Sequence, residues 1–170
     1  MGMYPGGNLI KLSPGDLSSS AYQEGDIIFA KAELKNAVPS RGGCSILRSV
    51  TAFVEGAVAA DDLTLLFFDN STDLGEPAHD PASDITADEF RTASCIGKLQ
   101  LNGGTNTVAV ANGLLYSHTD LQYSGGNNPM LVKAVDGETS IWVAMIQPAG
   151  TLNLVDTDSI TLTFGLQYLG

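Results

Sequence analysis

The stretch Ser159-Ile160-Thr161-Leu162-Thr163-Phe164-Gly165-Leu166-Gln167-Tyr168 decides the fold. Ile160, Leu162, Phe164, Leu166 and Tyr168 share one parity, and Ser159, Thr161, Thr163, Gly165 and Gln167 the other. Successive side chains of a strand point to opposite faces, so the pattern predicts a strand with one buried and one polar face. Working outward, Ile28, Ala30, Ala32 and Leu34 alternate in the same way with Lys31, Glu33 and Lys35. Two runs, Leu63 to Phe68 and Ile141 to Ile146, are apolar on both parities and predict central strands covered on both sides. Further strands are expected at Ser45–Glu55, Ile96–Leu101, Thr107–Ala111, Leu114–Ser117 and Met130–Val135. Strand pieces at this spacing predict an all-β fold, an antiparallel β-sandwich of jelly-roll type.

Turn chemistry punctuates the strands. Asn102-Gly103-Gly104 and Asp136-Gly137 each read as the loop of a hairpin between the strands they separate. Gly125-Gly126-Asn127-Asn128-Pro129 reads as a longer loop. One helix is expected, at Ala87–Ser94. Thr86 and Glu89 form a capping box, and Ile85 and Phe90 supply a hydrophobic staple. Two turns are marginal alone and must lean on the sheet. Asp69 to Asp84, with two prolines and five acids, is a loop long enough to carry function or to need a partner.

Residues 1–24 differ from the rest. Pro5, Gly6, Gly7, Pro14, Gly15 and Ser18-Ser19-Ser20 leave only Leu9, Ile10 and Leu12 for an extended piece. The segment reads as an N-terminal arm preceding a β-sandwich domain at 25–170. Leu9, Ile10, Leu12 and Tyr22 are its candidate interaction residues.

The chain has 170 residues and a net charge of −11, with 19 acids against 8 bases. That balance argues against nucleic acid, whose recognition runs on Lys and Arg, and against anionic membrane surfaces. No apolar run approaches a membrane span. Met1-Gly2-Met3-Tyr4-Pro5 shows neither a basic nor an apolar signal region, so a cytoplasmic origin is expected. Cys44 and Cys95 match no zinc or redox spacing and are expected as buried free thiols.

No catalytic constellation emerges. There is no G-x-S-x-G, no phosphate loop and no dinucleotide fingerprint. His79, with Asp80 or Asp84, offers a weak metal signature, and a solvated loop histidine explains it better. His118 beside Asp120 reads as a loop or rim residue rather than a general base. Asp69-Asn70-Ser71-Thr72-Asp73-Leu74-Gly75 resembles the start of a calcium loop. Its glycine falls one position late, and Asp80 stands where the closing Glu belongs, so turn-forming residues are the expected reading. Asn70-Ser71-Thr72 is formally a glycosylation acceptor. Asp61-Asp62 could pair for glycoside hydrolysis but reads as a turn before a strand. Trp142 is expected in packing. Neither an enzyme nor a cofactor is expected.

Several motifs carry a family resemblance. Gly42-Gly43-Cys44-Ser45-Ile46-Leu47-Arg48-Ser49-Val50-Thr51 is followed by Asp62-Leu63-Thr64-Leu65-Leu66-Phe67-Phe68 and Asp73-Leu74-Gly75. After the helix start at Ile85-Thr86 and Cys95-Ile96-Gly97 come Ser140-Ile141-Trp142-Val143-Ala144-Met145-Ile146 and Ser159–Leu166. The order resembles a family of small structural proteins of tailed bacteriophages, over about residues 42–166. The resemblance implies a virion component similar to head decoration or cement proteins. Such a protein would sit on the capsid exterior, bind the major capsid protein and lock capsomers together, often as a homotrimer. It supplies no catalytic residues to carry over. A tail or head-fibre module binding a host receptor, with Tyr116, Tyr123 and Trp142 lining a groove, is the alternative. A jelly-roll carbohydrate-active enzyme is the third.

Overall fold

The computed structural model describes residues 6–15, 17–18, 20–56, 61–75, 77–105, 107–110, 112–118, 130–154 and 159–169. Ten strands follow in chain order: β1 Gly7–Leu12, β2 Ile27–Leu34, β3 Cys44–Glu55, β4 Leu63–Phe68, β5 Cys95–Leu101, β6 Thr107–Val110, β7 Gly113–His118, β8 Met130–Lys133, β9 Ile141–Ile146 and β10 Ile160–Leu169. The one described α-helix, α1, spans Ala87–Thr92 and follows a 3-10 turn at Ala82–Asp84. The larger sheet runs β1-β10-β3-β7-β6, with β8 also paired to β3, and the smaller runs β2-β9-β4-β5.

The pairing is nested. β4 pairs with β5, β3 with β7 and β8, β2 with β9, and β1 with β10, every pair antiparallel. One long hairpin is thus wound into two sheets, and β10·β3 and β9·β4 zip the turns of the winding together. This is the jelly-roll arrangement of two packed sheets. The inward faces form one core that includes Val50, Phe67, Tyr116, Val143 and Phe164. Phe67 and Phe164 meet edge to face across the two sheets at 6.1 Å.

Two expected hairpins are corrected by the winding. Asn102–Gly104 joins β5 of the smaller sheet to β6 of the larger, and Asp136-Gly137 joins β8 of the larger to β9 of the smaller. Turn residues set a local reversal, not the partner. Asp62 accepts from the Gly103 amide at 2.9 Å, and Glu138 and Thr139 carbonyls accept from the amides of Gly42 and Val38. These anchors turn each corner toward the opposite sheet. β6 and β7 form a hairpin pair within the larger sheet instead, Val110 against Gly113. The Gly125–Pro129 loop, Asp120 and Tyr123 lie outside the described residues.

The segment expected as an arm is, in its described part, built into the sandwich. β1 supplies the outermost pair of the winding, Gly7–Leu12 against Leu162–Gln167. Leu17 and Tyr22 are buried in the core. Tyr22 exchanges both backbone hydrogen bonds with Leu152, at 2.8 and 3.0 Å, and its hydroxyl accepts from the Ser18 amide at 2.7 Å. Glycine, proline and serine content marked an irregular path here, not a detached one, because two anchors suffice to hold it.

Candidate functional site

The two sheets treat their outer faces differently. On the smaller sheet Leu66, Phe68, Ala144 and Trp142 point away from the main core, and residues 69–94 fold over them as a lid. Leu74 and Ala93, both fully buried, plug this second cluster, with Ile85 against it. The capping box sets the helix: the Glu89 amide donates to Thr86 Oγ1, and the Thr86 amide donates to Glu89 Oε2 at 2.8 Å. Those bonds from Thr86 hold the exposed Glu89 carboxyl below its ordinary pKa. Phe90 meets the Phe68 ring edge to face at 6.3 Å. The helix ends at Thr92, two residues earlier than expected, because Ser94 turns to φ 53°.

Lys31 pins the lid from below. Its Nζ donates to the carbonyls of Ala93 at 2.9 Å and Asn70 at 3.2 Å and lies 4.1 Å from the centre of the Phe68 ring. Burial pushes its pKa down to about 8 against the pull of Asp69 and Asp73. A groove of about 350 Å³ opens beside it, rimmed by Pro14, Gly15, Pro77 and Ala78 and floored by Phe29 and Lys31. The ammonium is committed to the lid carbonyls. Residues 79–82 also cover the edge of β2, since the Ile27 amide donates to Asp80 and the His79 amide to Ile27. An exposed strand edge invites pairing with another chain, and this one is capped at its Ile27 end.

The outer face of the larger sheet has no such cover among the described residues. Register places Val108 beside Leu115, Leu115 beside Phe53, and Leu131 beside Ile46, all facing outward. Leu9 stands opposite Gly165 on the same face. Leu9 is 75%, Val108 61% and Leu131 55% exposed. Lys11 and Lys133 are exposed on this face, and Arg48 donates there to Gln167 Oε1. Glu55 is the one acid among its described strand residues. The lid, by contrast, carries seven of the 19 acids and a single base, Arg91, which is paired with Asp88 at 2.8 Å.

The candidate interaction residues divide. Leu9 is on the bare face, Ile10 and Leu12 turn inward and pack against the core, and Tyr22 is fully buried and corrected to a core residue. Burial raises its hydroxyl pKa. His79 is not a solvated loop residue: it is half-buried at φ 79°, edge to face with Tyr22 at 4.8 Å. His118 lies at the end of β7, opposite Val50, not on a loop. Asn70 Oδ1 accepts from the Thr72 amide and Asp73 Oδ1 from the Leu74 amide, so the calcium-like stretch works as turns. Among the described residues no three His, Cys, Asp or Glu side chains gather as metal ligands. Asp62 accepts from Gln100 and Gly103, while the Asp61 carbonyl accepts from Tyr116 at 2.9 Å. Burial pushes the Tyr116 pKa up to about 12. Tyr116 in the main core and Trp142 under the lid line no open groove. Cys44 and Cys95 are free thiols, half-buried rather than buried.

Sequence reading missed Phe53, Leu115, Val108 and Leu131 as a surface. A signal existed in Ser45–Glu55, where Ile46 beside Leu47 and Phe53 between Ala52 and Val54 place apolar residues on both parities.

No helix among the described residues is long and apolar enough to cross a membrane. No protein-family model and no curated protein matches the chain. Among solved structures, the subviral particle of infectious bursal disease virus VP2 aligns with 99% of this chain, at 10% identity and a TM-score of 0.37. This chain spans 38% of that VP2 chain. A Mud crab tombus-like virus structure aligns with 100% of this chain and 84% of its own, at 13% identity and a TM-score of 0.25.

Proposed function

We propose that the chain is a structural protein of a virus particle, a decoration or cement protein on the capsid exterior. It binds the shell of major capsid protein and stabilises capsomer contacts as a homotrimer assembled in the host cytoplasm. In this reading it is not an enzyme and works without cofactor, nucleic acid or membrane. The carrying observation is the bare outer face of the larger sheet, apolar at Leu9, Val108 and Leu131, on a sandwich whose opposite outer face is sealed. Val108, Leu115 and Phe53 adjoin across three strands of this face, and exposed apolar surface of this kind marks interaction sites. The jelly-roll winding, a fold used by capsid domains, and the resemblance of the strand motifs to tailed-phage structural proteins support the same reading. Repetition over a shell would add avidity to a modest single contact.

The test is binding of the purified chain to undecorated shells of the virus that encodes it, followed by cryo-EM reconstruction. Expected is ordered density on the outer surface at capsomer junctions, with shells that disrupt at a higher temperature. Absence of the chain from the shell, or density at a tail or fibre tip, overturns the decoration role.

A further inference from the structure

The two outer sides of the sandwich differ in their balance of charge, although Lys31, Arg91 and Lys98 stand on the lid side. The lid over the smaller sheet is acidic, with Asp84 and Asp88 exposed and Asp88 paired with Arg91. The outer face of the larger sheet sets Lys11, Arg48 and Lys133 among exposed leucine and valine side chains. In a chain of net charge −11, this face sets three bases against one acid among its described strand residues, Glu55, whereas the lid has seven acids against Arg91. Opposed patches of this kind steer encounter and fix which surfaces meet.

We infer that the bare face of the larger sheet is the docking surface for the acidic lid of a second copy of this chain. The contact is heterologous, since the two patches differ and lie on opposite sides of the sandwich. Such contacts close into a ring where the rotation allows and otherwise extend as a stack. Apolar side chains at Leu9, Val108 and Leu131 would supply burial, and the charges orientation and register. An acidic surface of some other protein is the competing occupant. The inference extends the reading of the chain as a shell component, but it is tested on the purified chain, without a shell.

Charge-swap complementation tests it. Sedimentation velocity of the unaltered chain at low and high salt is the first measurement. Expected is association at about 0.05 M salt that weakens at least tenfold by about 0.5 M, where screening shortens the reach of surface charge to a few ångströms. The second measurement uses two variants: Lys11→Glu with Lys133→Glu reverses the sheet face, and Asp84→Lys with Asp88→Lys reverses the lid. Each alone is expected to sediment as a monomer with an unchanged far-UV spectrum. Mixed, they are expected to associate again, because the lid of the first meets the sheet face of the second. A monomeric unaltered chain at low salt, variants that associate as before, or a mixture that stays monomeric overturns the inference. Shell binding scored separately with the same variants keeps the proposed function distinguishable. Failure of self-association with intact shell binding removes this contact alone, and the reverse outcome removes the decoration role alone.

Discussion

Phe53 and Phe68 occupy equivalent places on the two sheets, each pointing away from the main core, and they meet opposite fates. Phe68 lies under the lid, fully buried against Leu74, Ala93 and Phe90, with the Lys31 ammonium over its ring. Phe53 sits on the bare face between Thr161 and Leu115, only partly buried. The sequence around each is a similar apolar strand. What differs is the chain that follows. After Phe68 comes a 26-residue excursion, 69–94, able to return over its own sheet, whereas the larger sheet receives no comparable insertion among the described residues. Among the described residues, one outer face is thus covered by the chain's own excursion and the other is not, which gives the sandwich two unlike sides.

The largest expected difference is between truncations of these two rings. Phe68→Ala removes a fully buried ring and opens a cavity under the lid, which costs about 3–5 kcal/mol. Phe53→Ala removes a partly buried ring on an open face whose neighbours can relax, and is expected to cost less than about 1.5 kcal/mol. Thermal denaturation at about 2–4 °C per kcal/mol resolves the two. Equal losses would mean that the bare face is as structural as the lidded one, and the contrast would fall.

A second way to sharpen the contrast is to strain the lid from within. Gly75 has φ +85°, and a Cβ there would run into the Glu89 carboxylate of the capping box. Gly75→Ala therefore combines a disfavoured backbone with loss of the cap. About 1–3 kcal/mol is expected, with faster hydrogen exchange in 69–94 and little change in β3 and β10. Uniform loss of protection across both sheets would show that the lid is not a separable layer.

How much of this was legible before the structure depends on whether a feature is local. Leu63–Phe68 and Ile141–Ile146 were readable because both-face burial leaves a continuous apolar run, and both are central strands of the smaller sheet. Thr86 and Glu89 were readable because a capping box closes within four residues. The destinations of Asn102–Gly104 and Asp136-Gly137 were not, since choosing the opposite sheet depends on Asp62 and on residues 38–42, far away in sequence. Tyr22 was mistaken for an arm residue because a single anchor carries no periodicity. Lys31 looked like part of a solvent-facing polar parity, because the lid that covers it begins 38 residues later. The bare face was half legible: Ile46 beside Leu47 and Phe53 beside Val54 put apolar residues on both parities, but only the register joins them to Leu131 and Leu115.

Lys31 tests whether the lid is held by polar pinning as well as by packing. Lys31→Met keeps most of the volume while leaving the Asn70 and Ala93 carbonyls without this donor, and about 1–2 kcal/mol is expected. The pH dependence supplies an independent readout. The folded-state pKa of about 8 lies below the ordinary 10.5, so between those values the unfolded chain holds a proton that the folded chain has released. Stability contributed by Lys31 therefore rises from pH 8 toward 10.5 and is lost as pH falls back through 8. Urea midpoints for the unaltered chain, minus those for Lys31→Met, should climb between pH 8 and 10. A flat difference would place the ammonium in solvent and leave the lid held by Leu74 and Phe68 alone.

The smallest expected effect lies on the bare face. Val108→Ser on β6 removes an exposed valine side chain that supports no core residue, and the monomer should lose no more than about 0.5 kcal/mol. The strand itself loses some β preference, which sets the upper end of that range. Stability measured in dilute solution and at about 0.5 M salt should then be indistinguishable from the unaltered chain. A loss of 2 kcal/mol or more, an estimate well beyond surface substitutions, would mean that the outer row Val108, Leu115 and Phe53 holds the larger sheet together. Its exposure would then be incidental to packing, and the functional asymmetry between the two faces would have to rest on charge alone.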